Sequence, residues 1–383
     1  MKRTFLEFFA GGGMAREGLG DGWTCLFAND FDPAKGQAYA ARWGEGGQWP
    51  AELRLGDVGA LTVDDLPDAQ ADLAWASFPC QDLSLAGAQA GLGGDRSGSF
   101  LPFWLLIQKM RALGRAPRAI VLENVCGLLN SNEGRDFADI CRMLERGGYR
   151  FGALVMDAAD FLPQSRPRLF IVAIDRDIQF GSAGAPSDHW HPARLRSVFD
   201  GLRPDLKNEW LWLAPPLPAA RNTRFADMIE SHPSDVKWHS TAETERLLGM
   251  MNPLNRAKVE ALLAARGRSV GGVYKRTRVE QGRKVQRAEV RFDDMAGCLR
   301  TPGGGSSRQT IIVIEDGEVR SRLISARETA RLMGLPEHYP LPKRYNDAYH
   351  LTGDGVAVPV VRHIAEWILE PALDTRSVAA AVA

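Results

Sequence analysis

The chain has no run of about 18 uncharged apolar residues, so no spanning helix is expected. Its first stretch, MKRTFLEFFAGGGM, meets Glu7 and then glycines before a long apolar segment develops. That excludes a secretory signal and makes the cytoplasm the default compartment. Cysteine is scarce, with five residues widely spaced and no Cys-x-x-Cys pair. Such a set argues against a disulfide framework and a structural zinc site; reduced thiols and no metal are expected. Net charge is also lacking, 47 basic residues standing against 47 acidic ones. With 45% hydrophobic and 25% charged residues among 383, the composition is that of a folded protein of two or three domains. Disordered, collagen-like and coiled-coil chains are excluded.

The charge balance conceals an asymmetry. Residues 256–308 hold thirteen Lys and Arg against five acids, about +8, and the remainder carries the opposite excess. Such a segment is either a solvated basic surface or the electrostatic footprint of a nucleic acid.

Short apolar runs at 4–9, 24–28, 73–77, 119–123, 152–156 and 168–174 read as strands. Helical patterns at 33–43, 102–113 and 135–146 fall between them. The alternation predicts an α/β fold with a doubly wound, mostly parallel sheet. Regularity stops near Asp177, and the chain to about Thr310 is proline-rich and aromatic, with the basic stretch at its end. The reading is a first domain of residues 1–178 plus 311–383 and a second, smaller, irregular domain of 179–310. Segments 325–333 and 356–369 look helical and are expected to return to the first domain, with a strand at 310–314 before them.

Phe9-Ala10-Gly11-Gly12-Gly13 ends the first strand and opens a helix, so backbone can approach a ligand closely there. A dinucleotide fingerprint needs a small residue three positions after Gly13, where Arg16 stands, and a nicotinamide or flavin site is disfavoured. Asp30, at the end of the second strand, can hold ribose hydroxyls, and Asp57 can accept from an adenine amino group. Together at one sheet edge, these features favour an adenosine ligand without a pyrophosphate. S-adenosylmethionine fits.

Ser77-Phe78-Pro79-Cys80-Gln81 follows the fourth strand and leads into a Gly/Ala-rich loop containing Ser84 and Arg96, which resembles a mobile lid. Glu123-Asn124-Val125 ends the fifth strand at the same edge, and Gln164-Ser165-Arg166-Pro167-Arg168 brings two guanidiniums before the next. A thiol, an acid and a fixed cation beside a methyl donor suit alkylation of cytosine carbon 5. Thiolate addition at carbon 6, with hydrogen bonding at ring nitrogen 3, makes carbon 5 nucleophilic.

These residues resemble the ordered signature blocks of the DNA (cytosine-5)-methyltransferase family, of the bacterial or phage type. The blocks are Phe9-Ala10-Gly11-x-Gly13, Phe78-Pro79-Cys80-Gln81, Glu123-Asn124-Val125 and Gln164-x-Arg166-x-Arg168. Two more run from Arg327 to Pro336 and from Gly353 to Val360. The resemblance implies the fold of the S-adenosylmethionine-dependent methyltransferases. It makes Cys80 the nucleophile and Glu123 the partner of ring nitrogen 3, with Arg168 on the base's carbonyl oxygen and Arg166 supporting the site. Around S-adenosylmethionine it places Phe9, Gly11, Gly13, Asp30, Phe31, Asp57, Pro79, Gly353 and Val356. Segment 179–310 becomes the target-recognition domain. The chain departs from the family pattern with Asp30 in place of the usual Glu and with Gly353-Asp354-Gly355-Val356 in the last block.

Duplex DNA is the implied partner, its cytosine extruded for reaction. Gln81, Ser84 and Arg96 in the lid, Lys275 and Arg276 in the basic stretch, and Arg308 with Gln309 are the expected contacts to it. The loop 301–309 is equally readable as a flexible turn before a strand. Methylation of RNA and silent DNA binding on the same scaffold are the competing readings. A monomer is expected, with a cognate restriction endonuclease as a possible separate partner.

Overall fold

The computed structural model describes residues 2–79, 98–180, 184–265, 267–300 and 308–374. Seven strands form one sheet: β1 (Arg3–Phe8), β2 (Trp23–Asp30), β3 (Leu53–Leu55), β4 (Leu73–Ala76), β5 (Ala119–Val125), β6 (Tyr149–Asp157) and β7 (Pro167–Asp175). Their order is β3-β2-β1-β4-β5-β7-β6. The first five strands are parallel, and β7 runs antiparallel to both β5 and β6. Strand order reverses beside β1 and β4, the position where doubly wound sheets open a ligand crevice at their carboxyl ends.

Local chemistry explains the elements. Helix Pro33–Trp43 starts where Asp32 caps it, its Oδ1 accepting from the Ala34 N–H at 2.8 Å, with proline at the first helical position. Strand β5 is buried from Ala119 to Asn124, as a central strand covered on both faces requires. Phe8, Phe27, Phe78, Phe100, Phe103 and Phe151 fill the layers around the sheet.

The chain divides into two compact units. One comprises 1–157, 167–218 and 356–383, and the other 158–166 and 219–355. These boundaries differ from the expected 1–178 plus 311–383 and 179–310. Residues 179–218 belong with the large sheet because Leu195, Val198, Leu206 and Trp210 are buried in its core. The Phe151 N–H donates to the Glu209 carbonyl at 3.0 Å, and Leu211 N–H to the Phe151 carbonyl at 2.7 Å. Residues 311–355 belong to the second unit, because the strand expected at 310–314 sits inside that unit's sheet. Only the stretch from Val356 returns to the first unit.

The second unit is also more regular than its composition implied. Strands β8 (Ser269–Glu280), β9 (Arg283–Arg291), β10 (Thr310–Glu315) and β11 (Glu318–Leu323) form an antiparallel sheet in the order β11-β10-β8-β9. Val273, Ala288, Val290, Ile312 and Ile314 pack there against Leu247, Leu248 and Val259 from two helices, Thr241–Gly249 and Pro253–Ala265, and against Met251 between them. Strands β8 and β9 join through Gln281 (φ 49°) and Gly282 (φ 76°), two left-handed residues that suit a tight hairpin. Among the described residues, no helix is long and apolar enough to cross a membrane.

Candidate active site

The carboxyl edge of the parallel strands collects most of the expected residues. β1 ends at Phe8, and Phe9 follows with φ 57°, a left-handed conformation that a phenylalanine adopts only under constraint. Gly11 also has positive φ, and a β-carbon built on it would meet nothing within 4 Å. Gly13 differs: its β-carbon would lie 2.5 Å from Trp43 Nε1 and 2.9 Å from the Tyr39 ring. Gly11 thus borders open space that a ligand can enter, whereas protein packing by itself accounts for Gly13.

The end of β2 ties this loop down. Asp30 Oδ2 accepts from the Gly11 N–H at 2.8 Å and Oδ1 from the Asp32 N–H at 2.8 Å. Each oxygen keeps acceptor capacity beyond its backbone partner. Asn29, not singled out in the sequence, donates to the Arg54 and Gly56 carbonyls at 2.9 and 3.0 Å, fixing the chain that leads to Asp57. Asp57 is exposed and caps its own turn through the Gly59 N–H at 2.7 Å. Phe31 is 70% exposed beside Asp30, a large apolar ring left uncovered at the sheet's carboxyl edge.

Beneath the loop lies Glu7, a carboxylic acid inside an apolar strand. Burial pushes it up to about 8, against a partial offset from the Arg16 guanidinium. The unfolded chain ionises this group near 4.5, so the folded protein binds an extra proton between pH 4.5 and 8 and loses stability as pH rises through that window. Glu7→Gln is expected to flatten this dependence and raise Tm by a few degrees at pH 8.5. Parallel melting curves for the two proteins from pH 5 to 9 check it, and identical slopes refute it.

On the other side of β1, β4 leads to Phe78 and the exposed Pro79. The Asn124 side chain donates to the Phe78 carbonyl at 3.0 Å, clamping this segment to the end of β5. One residue earlier, Glu123 is 6% exposed. Its Oε1 lies 3.2 Å from Arg168 Nε, at the start of the antiparallel β7. The register places Val125 opposite Arg168 and Glu123 opposite Phe170, bringing acid and guanidinium together across two strands. Cys80, Gln81, Ser84 and Arg96 lie outside the described residues.

Other expected site residues fall in the second unit. Arg166 is 2% exposed. It donates to the carbonyls of Leu299 (3.0 Å), Gly353 (2.8 Å) and Gly355 (2.7 Å). Its guanidinium holds the Gly353-Asp354-Gly355 turn, while Val356, at the return to the first unit, is buried. Lys275 and Arg276 stand on β8. Arg308 donates to Asn346 Oδ1 and lies 5.7 Å from the Tyr345 ring centre. Gln309 departs from the expectation of a base-reading side chain. It is 7% exposed, its backbone N–H donates to Tyr349 Oη at 3.1 Å, and its amide Nε2 lies close beside Gly272 of β8. As the residue leading into a central strand, it is turned into the unit rather than toward a partner. Among the described residues, no group of three His, Cys, Asp or Glu side chains is placed to hold a metal.

A glycine turn, a strand-end carboxylate and an exposed ring at the switch point of a 3-2-1-4-5-7-6 sheet match an α/β methyltransferase fold. Solved structures agree on the fold. The Dnmt2 methyltransferase of S. pombe matches with a TM-score of 0.59 at 17% identity, over 97% of this chain and 99% of that one. A DNMT2 variant from Spodoptera frugiperda matches at 0.62 and 16%, over 96% and 100%. The family model for C-5 cytosine-specific DNA methylase covers residues 3–370, and the chain belongs to that family. Type II methyltransferase M.NlaX of Neisseria lactamica is 27% identical over 94% of both chains. M.HhaI of Haemophilus parahaemolyticus is 24% identical over 94% of this chain and 92% of its own. The protein is an enzyme, a DNA (cytosine-5-)-methyltransferase.

Proposed function

We propose that the enzyme methylates carbon 5 of a flipped-out cytosine in a specific duplex sequence, through a covalent bond between Cys80 and carbon 6. The observation that carries this reading is the buried Glu123–Arg168 pair beside the clamped Phe78–Pro79 segment, from which the chain runs directly into Cys80. S-adenosylmethionine, when bound, supplies a methyl group on a positively charged sulfur. Asp30 accepts from ribose hydroxyls with the lone pairs its backbone partners leave, Phe31 offers its ring face to adenine, and Asp57 accepts from the amino group. The open space at Gly11 fits such a ligand, with Phe9, Pro79 and Val356 as further expected neighbours in the first unit.

The thiolate of Cys80 adds to carbon 6 while Glu123 hydrogen-bonds ring nitrogen 3 and the amino group. Arg168 holds Glu123 in place and reaches for the carbonyl oxygen of the base. Arg166 keeps the 353–355 turn in shape. After methyl transfer, loss of the carbon 5 proton and of the thiol restores the ring. Burial pushes Cys25 up to about 12 and raises Cys126 and Cys141 as well, so these thiols are poor substitutes for the nucleophile.

Extruding the base costs about a few kcal/mol, which contacts to the rest of the duplex supply. The second unit serves as the target-recognition domain, with Lys275 and Arg276 on its β8–β9 hairpin near the backbone and Arg308 at a base edge. Arg308→Ala is expected to cost about 1–3 kcal/mol of discrimination at one base pair and leave cofactor affinity intact. Competition binding across single-base variants of the target checks it; an unchanged site preference refutes it. The relatives' type II designation fits a partner endonuclease acting separately, and the catalytic set within one chain fits a monomer.

Bisulfite sequencing of plasmid from a host free of cytosine methylation tests the whole reading. Expression of the chain should protect cytosines within one short recurring sequence. Full conversion with soluble protein present would refute it.

A further inference from the structure

The β8–β9 hairpin carries many cations, but most are already committed. Arg276 and Arg278 pair with Glu289, Arg287 with Glu280, and Arg291 with Asp293. Lys275 is different. It lines a surface pocket of about 150 Å³ with Arg246, His239, Glu243, Leu247 and Met250. The side chains of Lys275 and Arg246 make no hydrogen bond or ion pair with any described residue.

The one acid in the pocket, Glu243, makes its hydrogen bonds outside it. Those from Ser240 hold its carboxyl below the usual range, and the nearby charges of His239 and Arg246 do so more weakly. Glu243 Oε2 accepts from the Ser240 N–H at 2.7 Å and its hydroxyl at 2.8 Å, closing a capping box at the start of helix Thr241–Gly249. His239 Nδ1 meets the Ser321 hydroxyl at 2.9 Å, leaving Nε2 as the ring's remaining polar atom. The walls are tied to each other through backbone. Met250, just beyond the helix, accepts from the Ala288 N–H at 3.1 Å, and Ala288 stands directly opposite Lys275 across the hairpin.

Two cations whose side chains make no hydrogen bond or close ion pair, around a pocket without a stacking platform, suit a compact anion rather than a base. We propose that this pocket binds one phosphodiester of the DNA backbone, with Arg246 and Lys275 as its charged contacts and His239 at its wall. It anchors the hairpin's base on the duplex without reading sequence. The inference rests on the reading that the chain binds duplex DNA.

Fluorescence anisotropy with a labelled 24-base-pair duplex of mixed sequence tests it, titrated at several salt concentrations (the length is about two helical turns). The Arg246→Ala/Lys275→Ala double variant is expected to bind roughly tenfold more weakly at moderate salt. Its slope of log affinity against log salt should fall by about 0.9, the value for one phosphate. Arg246→Lys should keep the wild-type slope, and melting temperatures should match throughout, because neither side chain makes a hydrogen bond or close ion pair within the protein. A double variant with wild-type affinity and slope overturns the pocket while leaving the DNA reading standing. Absence of duplex binding by the wild type overturns both.

Discussion

Alanine at Cys80 should abolish methyl transfer, by about 10⁴-fold or more, while duplex DNA and cofactor still bind. The size follows from the chemistry. Carbon 5 of cytosine is too weak a nucleophile to take a methyl group unaided, and no preorganised dipole substitutes for adding a thiolate at carbon 6. Single-turnover assays with labelled methyl donor measure the loss, and filter binding measures retained DNA affinity. The wild type should also form a protein–DNA species that survives denaturing electrophoresis when turnover is blocked, and the variant should not. Transfer persisting within about tenfold of wild type would remove the covalent route.

Glu123→Gln should lower kcat by roughly 10²–10⁴ while leaving S-adenosylmethionine affinity unchanged. The glutamine matches the carboxylate in shape, so packing at the end of β5 survives. What disappears is the carboxyl that hydrogen-bonds ring nitrogen 3 and the charge that Arg168 faces across 3.2 Å. The loss should appear in kcat rather than KM, because the interaction strengthens only as negative charge develops on the ring. An equal loss in cofactor binding would mean that Glu123 organises the cofactor crevice instead. A fully active glutamine variant would remove the acid from the mechanism altogether.

The parallel sheet was legible because its strands are short, apolar and punctuated. Asp32-Pro33 announces a helix start, and the expected bounds 33–43 and 135–146 are those observed. β3 has only three residues, too few for any periodicity to register. The β8–β9 hairpin was hidden for another reason. From Lys275 to Arg287 nearly every residue of it is polar, because the outer part of the hairpin leaves the core, so no alternation marks it as a strand there. Its turn, Gln281-Gly282, was the available signal.

At the site, the polar side chains that close strand ends were readable, since Asp30, Glu123 and Arg168 interrupt apolar runs. Glu7 sends the same signal outside any of the motifs, as does Asn29, whose work, like that of Asn124 within the Glu123 block, is to hold neighbouring backbone. Gln309 misled for a tertiary reason. Its burial is decided by Tyr349 and Gly272, distant in sequence, and not by the small-residue loop before it.

The return of the chain from Val356 has a consequence for biosynthesis. Arg362 donates to the Leu19 carbonyl at 2.6 Å across 343 residues, and Trp23 donates to Glu370 at 3.0 Å across 347. At translation rates of about 5–20 residues per second, helix Met14–Leu19 waits roughly 20–70 s for its packing partner. The nascent first unit therefore emerges with that helix's apolar side open, and chaperone demand should peak late in synthesis. Shortening the chain by its final helices would trap that state permanently.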